Sequence, residues 1–170
     1  MPENFNKQPE FAVNPEAEQD ITNVRNGIHR LISYNGNLAE AKELFDSLAP
    51  NQQESPEIKQ ILLHEFTEAL FRPSQGINVA EKMAQNFNLS DYEKERAITE
   101  WISKGRGAYY DVDFLKNLRG IMEKYDISKE KIAQSAYIAR ERYPSFYDKS
   151  NLEDLTKILG LDARRIEQET

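Results

Sequence analysis

The chain of 170 residues contains no cysteine, two histidines and one tryptophan. Without cysteine there is no disulfide and no thiolate metal site, a composition that agrees with a reducing compartment. Two histidines, His29 and His64, fall short of a histidine-built zinc centre, which draws on several imidazole or carboxylate ligands at fixed spacing. No apolar run approaches the roughly 18 residues of a membrane-spanning helix. The opening residues, MPENFNKQPEF, lack the basic and then apolar order of a secretory signal. A cytoplasmic location is the expectation, and export through a dedicated secretion system is compatible with the same composition.

What is present is charge and helical periodicity. The formal net charge is −7, and it is uneven: residues 1–85 hold 7 Lys and Arg against 13 Asp and Glu, whereas residues 86–170 hold 15 against 16. An acidic front half disfavours non-specific binding to nucleic acid or anionic membrane, which is driven by neutralising phosphate. The second half keeps local basic groups.

The most informative stretch is Val79 to Ser103. Val79, Ala80, Met83, Ala84 and Phe87 form one apolar stripe of a helix, and Ala97, Ile98, Trp101 and Ile102 form another. Between them, Asn88-Leu89-Ser90 is a turn, and Ser90 with Glu93 has the spacing of a capping box that starts the second helix. The chain on either side reads in the same way. Residues 1–13 are expected to be a flexible arm, followed by a single all-α domain over 14–170. Asn14-Pro15 opens a helix striped by Ile21, Val24, Ile28 and Leu31, and Asn37 caps a second one carrying Leu38, Ala41, Leu44, Phe45 and Leu48. Residues 49–54 read as a polar connection. Ser55-Pro56 starts a third helix that ends near Phe71, because Pro73 and Gly76 follow. Asn78 reads as the cap of the next. Further on, Asp111 or Asp113 caps a helix striped by Phe114, Leu115, Leu118, Ile121, Met122 and Tyr125; Asp126-Ile127-Ser128 starts one bearing Ile132, Ala133, Ala136 and Ala139; and Ser150 with Glu153 starts one bearing Leu152, Leu155, Ile158 and Leu159. About eight helices arranged as antiparallel hairpins follow, in a short α-solenoid or an irregular bundle.

The turns recur. Leu89, Ile127 and Leu161 are 38 and 34 residues apart, and the expected caps Asn37 and Asn78 are 41 apart, each with glutamate three residues on. Such periods belong to two-helix repeats. Residues 35–46, Asn35-Gly36-Asn37-Leu38-Ala39-Glu40-Ala41-Lys42-Glu43-Leu44-Phe45-Asp46, resemble the second-helix portion of tetratricopeptide and pentatricopeptide repeats. The resemblance implies a helical-repeat scaffold presenting a concave face to a peptide or protein. No polar pair recurs at equivalent positions, so base-by-base reading of RNA is not implied.

No catalytic constellation emerges. His64-Glu65-Phe66-Thr67-Glu68 has the spacing of a zinc-protease helix, but Glu68 stands where a second histidine would be needed, and no metal or cofactor is expected. Gly105-Arg106-Gly107 lacks the preceding strand and following Lys-Ser/Thr of a phosphate cradle and reads as a helix stop. Aromatic and basic residues gather in the second half: Trp101, Lys104, Arg106, Tyr109 and Tyr110, then Arg140, Arg142 and Tyr143, with Phe146 and Tyr147 beyond. Tyr, Trp and Arg dominate binding hot spots, although such aromatics are also core residues with polar tips. The expectation is a non-enzymatic protein-protein interaction module, an adaptor, chaperone-like or effector protein, with another protein or peptide as partner. The alternatives are a nucleic-acid-binding protein using the basic and aromatic second half, or an acidic inhibitor or immunity protein; the oligomeric state is open.

Overall fold

The computed structural model describes residues 15–33, 36–72, 76–104, 112–144, 153, 155–157 and 159–161, with side chains except at 15–20 and 112–116. These residues are all-α: helices and turns, with no strand among them. The expected arm over residues 1–13 lies outside the described residues. Two compact units are found, one through Ile61 and one from Leu62 onward.

The first unit contains α1 (Pro15–Ser33), α2 (Leu38–Asp46), α3 (Pro50–Gln53) and the first turns of α4 (Pro56–Leu70). Its core draws on Ile28 and Ile32 of α1, Ala41 and Phe45 of α2, Leu48, Ile58 and Ile61, and α1 packs on α2. The buried face of α1 is centred on Ile28 and Ile32, with Ile21, Val24 and Leu31 half-buried. Asn37 is the cap expected of it: its side-chain oxygen accepts the Glu40 N–H at 3.2 Å. Residues 49–54, read from sequence as a plain connection, hold the short α3 instead. Ala49 is extended, Pro50 supplies a pre-set φ at the first helical position, and the Ala49 N–H donates to Gln52 Oε1 at 3.0 Å. The Gln53 amide donates to the Leu48 carbonyl at 3.0 Å. The glutamines of an apparently featureless polar stretch therefore satisfy its backbone.

The second unit contains the rest of α4, then α5 (Gly76–Asn86), α6 (Asp91–Ser103), α7 (Val112–Tyr125) and α8 (Lys129–Arg142), with further helical residues at 153, 155–157 and 159. Leu62, Phe66 and Leu70 of α4, Met83 of α5, Ile98 and Ile102 of α6, Leu118 and Ile121 of α7, and Ile132, Ala133 and Ala136 of α8 are almost wholly buried. Burying each large aliphatic or aromatic group of this kind contributes roughly 1.5–3 kcal/mol.

The start of α5 corrects the sequence reading. Asn78 does not cap it; the helix begins at Gly76, which places Asn78 inside, exposed, in the first turn. A Cβ on residue 76 would lie 2.6 Å from the Ala69 carbonyl oxygen and 2.7 Å from that of Leu70. Only glycine permits this approach to the end of α4, so a residue read as a breaker is a packing contact. The spacing between Asn37 and Asn78 is thus not a repeat of caps. The α7 start at Val112 puts Asp113 inside the helix, and Asp111 lies outside the described residues.

The other spacing holds. Asn88 (φ 53), Asp126 (φ 51) and Gly160 (φ 67) are left-handed, and the N–H of the next residue reaches back five positions: Leu89 to Ala84 at 2.9 Å, Ile127 to Met122 at 3.0 Å, Leu161 to Thr156 at 2.8 Å. This is the Schellman end of a helix, in which a left-handed residue turns the chain and an apolar one packs back. Asn and Asp tolerate that conformation better than other side chains do. Ser90 and Ser128 then cap the following helices, accepting from the Glu93 and Lys131 N–H groups, both at 3.3 Å.

Candidate functional site

Because the same turn launches α6 and α8, the two helices present equivalent positions. Among the described residues α6 packs chiefly against α8, the helix after next, and much less against α7. Lys131 Nζ on α8 forms an ion pair with Glu95 Oε1 on α6. A shallow groove of about 330 Å³ follows the seam, lined by Tyr92, Glu95, Arg96 and Thr99 from α6 and by Lys131, Gln134, Ser135 and Ile138 from α8. Tyr92 is 72% exposed, far more than the other large apolar or aromatic side chains described. Arg96 is exposed, and its guanidinium has no intrachain partner among the described residues. Arg142, the last residue of α8, is four positions beyond Ile138 and so continues the groove-lining stripe. It too is exposed with a free guanidinium among the described residues, and Tyr143 beside it is 40% exposed.

Of the eight residues expected to bind a partner, Arg142 and Tyr143 thus lie on or next to this face. Trp101 is engaged elsewhere: its ring stacks on Phe71 at 3.9 Å between centroids and 8° between planes, and Nε1–H donates to Glu68 Oε1 at 3.3 Å. It ties the last turn of α6 to the end of α4. Lys104, exposed, pairs with Glu100 at 2.7 Å, and Arg140 is half-buried with a partner in the chain. Arg106, Tyr109 and Tyr110, like Phe146 and Tyr147, lie outside the described residues. Tyr92, Arg96, Lys131 and Ile138 were not singled out from sequence. The signal that finds them is register: counted from the caps Ser90 and Ser128, these positions fall on one face of each helix.

A second feature lies among α5, α6 and α7. A depression of about 410 Å³ is lined by Glu81, Ala84 and Gln85 of α5, Asn88 and Leu89 of the turn, Lys94 of α6 and Tyr125 of α7. The Tyr125 hydroxyl is shielded from solvent and makes no hydrogen bond. Burial, with the Glu81 carboxylate adding to it, pushes the phenol up to about 12, so it stays protonated and can only donate or accept as a neutral group. Its ring meets the Phe66 ring edge-on at 5.9 Å and lies 5.6 Å beneath Lys94 Nζ. Lys94 pairs with Asp91 at 2.5 Å, and Glu81 with Lys124 at 2.5 Å.

The zinc-protease-like stretch is built into the helix packing: Glu65 is buried and Glu68 accepts from Trp101. No group of three His, Asp or Glu side chains among the described residues is placed to hold a metal ion. No described helix is long and apolar enough to cross a membrane. Compared with protein-family models, curated proteins and solved structures, the chain matches none.

Proposed function

We propose that this chain is a non-enzymatic protein-binding module whose α6–α8 face takes an acidic segment of a partner protein. The observation that carries the reading is the exposure of Tyr92 and Arg96 along the α6–α8 groove, with Arg142 and Tyr143 exposed at the end of α8, all four uncommitted among the described residues. Tyrosine and arginine are the side chains that anchor interfaces, since each combines a rigid apolar body with directional hydrogen bonding. The positive charge of Lys131 is balanced by Glu95, but Arg96 and Arg142 have no such balance among the described residues, so a partner carboxylate would be bound by a bidentate, charge-assisted contact. The resemblance of residues 35–46 to tetratricopeptide and pentatricopeptide repeats agrees with a protein-binding scaffold.

The test is capture from nuclease-treated lysate with the tagged full chain, compared with the triple variant Tyr92→Ala, Arg96→Glu, Arg142→Glu. A protein partner captured by the wild type and lost in the variant, with helicity unchanged by circular dichroism, is the expected result. Equal capture by both would refute the face. Capture that vanishes with nuclease would replace the reading with nucleic-acid binding, for which arginine and tyrosine also serve.

A further inference from the structure

Among the described residues, the charged side chains that line the α6–α8 groove are Glu95 and Arg96 on α6 and Lys131 on α8. They are not equivalent. Lys131 Nζ is held by Glu95 Oε1 across the seam, whereas the Arg96 guanidinium has no partner among the described residues. The lined stretch therefore carries a single uncompensated positive charge. Its aliphatic hydroxyls add no donor for an anion. Thr99 Oγ1 donates within α6, with the Glu95 and Arg96 carbonyls both at 3.0 Å, and the buried Ser135 hydroxyl donates to the Lys131 carbonyl at 2.8 Å. With those protons committed inside the helices, each hydroxyl has only lone pairs left to offer. One carboxylate is satisfied by Arg96 in such a setting. A strand of closely spaced phosphates needs Lys131 as well, and is opposed by Glu95.

We propose that Glu95 determines what this groove accepts: by holding Lys131 it leaves Arg96 as the uncompensated cation of the lined stretch, so that a protein segment anchored by one carboxylate is taken and a polyanion is rejected. The inference rests on the function proposed for this face and names the group that excludes the competing ligand, since specificity is a difference of affinities to which a repulsive group contributes. Arg142, at the end of α8, stands beyond the lined stretch and does not alter its balance. The Glu95 side chain is 28% exposed and that of Lys131 56%, so the carboxylate is the more enclosed member of the pair. An ion pair this open to solvent adds little to stability. Glu95→Gln, close in size, should fold as the wild type does and release Lys131.

The test follows backbone amides of the full chain by NMR while it is titrated with two unlabelled probes. One is a capped heptapeptide with a single glutamate between two phenylalanines, and the other is a short oligothymidylate. In the wild type, saturable shifts of groove amides such as those of Arg96 and Ser135 are expected with the peptide, and weaker binding with the oligothymidylate. In Glu95→Gln the oligothymidylate should gain about fivefold or more over the peptide near 50 mM salt, with a salt slope steeper by roughly 0.7, the signature of one further phosphate neutralised on a single strand. The double variant Glu95→Gln, Lys131→Gln restores the charge balance and should return the oligothymidylate to its wild-type affinity. An equal gain for both probes, no gain for the oligothymidylate, or a gain that survives in the double variant would overturn the role of Glu95 while leaving the peptide-binding face in place. Weaker binding of both probes by Glu95→Gln together with a lower unfolding midpoint would make the ion pair a structural staple and also overturn it. No saturable shift with the peptide in the wild type would overturn the face itself.

Discussion

Tyr125→Phe should make the protein more stable, which is unusual for a change within a packed helix interface. The substitution removes one oxygen and keeps the ring, so the edge-on contact with Phe66 at 5.9 Å and the position beneath Lys94 at 5.6 Å survive. What disappears is a shielded hydroxyl that makes no hydrogen bond. Relief of its desolvation is worth about 1 kcal/mol at the lower end of the range for a buried unsatisfied group. With a urea slope of about 2 kcal/mol/M, that moves the midpoint up by roughly 0.5 M, and it raises Tm by about 2–4 °C for a chain of this size. The single tryptophan, Trp101, belongs to the same unit as Tyr125, so its fluorescence follows the relevant unfolding. A fall in midpoint of 0.5 M or so in Tyr125→Phe would refute the reasoning, since it would mean that the hydroxyl makes a stabilising contact.

Other outcomes follow from the same geometry. Because the Tyr125 phenol is pushed from 10.0 to about 12 in the fold, the unfolded chain ionises first; its contribution to stability is complete below about pH 10 and is lost as pH rises toward 12, so the difference between wild type and Tyr125→Phe should widen over that window in urea titrations. Trp101→Ala removes the Phe71 stack and the Glu68 hydrogen bond and should cost about 3 kcal/mol by denaturation. Gly76→Ala drives a methyl group onto two backbone carbonyls and should cost about 1–3 kcal/mol in the same assay, despite alanine's better helix propensity. Ser90→Ala should cost about 1 kcal/mol and more than Ser128→Ala, because the Ser90 hydroxyl also donates to Glu93 Oε2 at 2.7 Å whereas lysine stands three residues after Ser128.

Local chemistry made much of the fold legible in the sequence. Asn88-Leu89-Ser90 and Asp126-Ile127-Ser128 each combine a residue that tolerates a left-handed φ, an apolar residue that packs back and a hydroxyl that caps, all within three positions. The buried stripe of α8, with Ile132, Ala133, Ala136 and Ala139 inward, follows directly from period 3.6. Gly76 misled because its role depends on carbonyls of α4, and α3 was missed because glutamine side chains, rather than a strong propensity, hold its turn. The site was legible only in part. Arg142 and Tyr143 stand exposed, but the stacking of Trp101 on Phe71 links residues 30 apart in the chain, and the α6–α8 groove exists only through a register that no single helix encodes.

The central claim, that the α6–α8 face takes an acidic protein segment, is tested most directly by panning a random peptide library against the purified full chain and against Arg96→Glu, Arg142→Glu. The account predicts that the wild type enriches peptides carrying Asp or Glu beside an aromatic or aliphatic residue, and that the variant loses this enrichment. Peptides with no acidic bias, or the same peptides selected by both proteins, would contradict it.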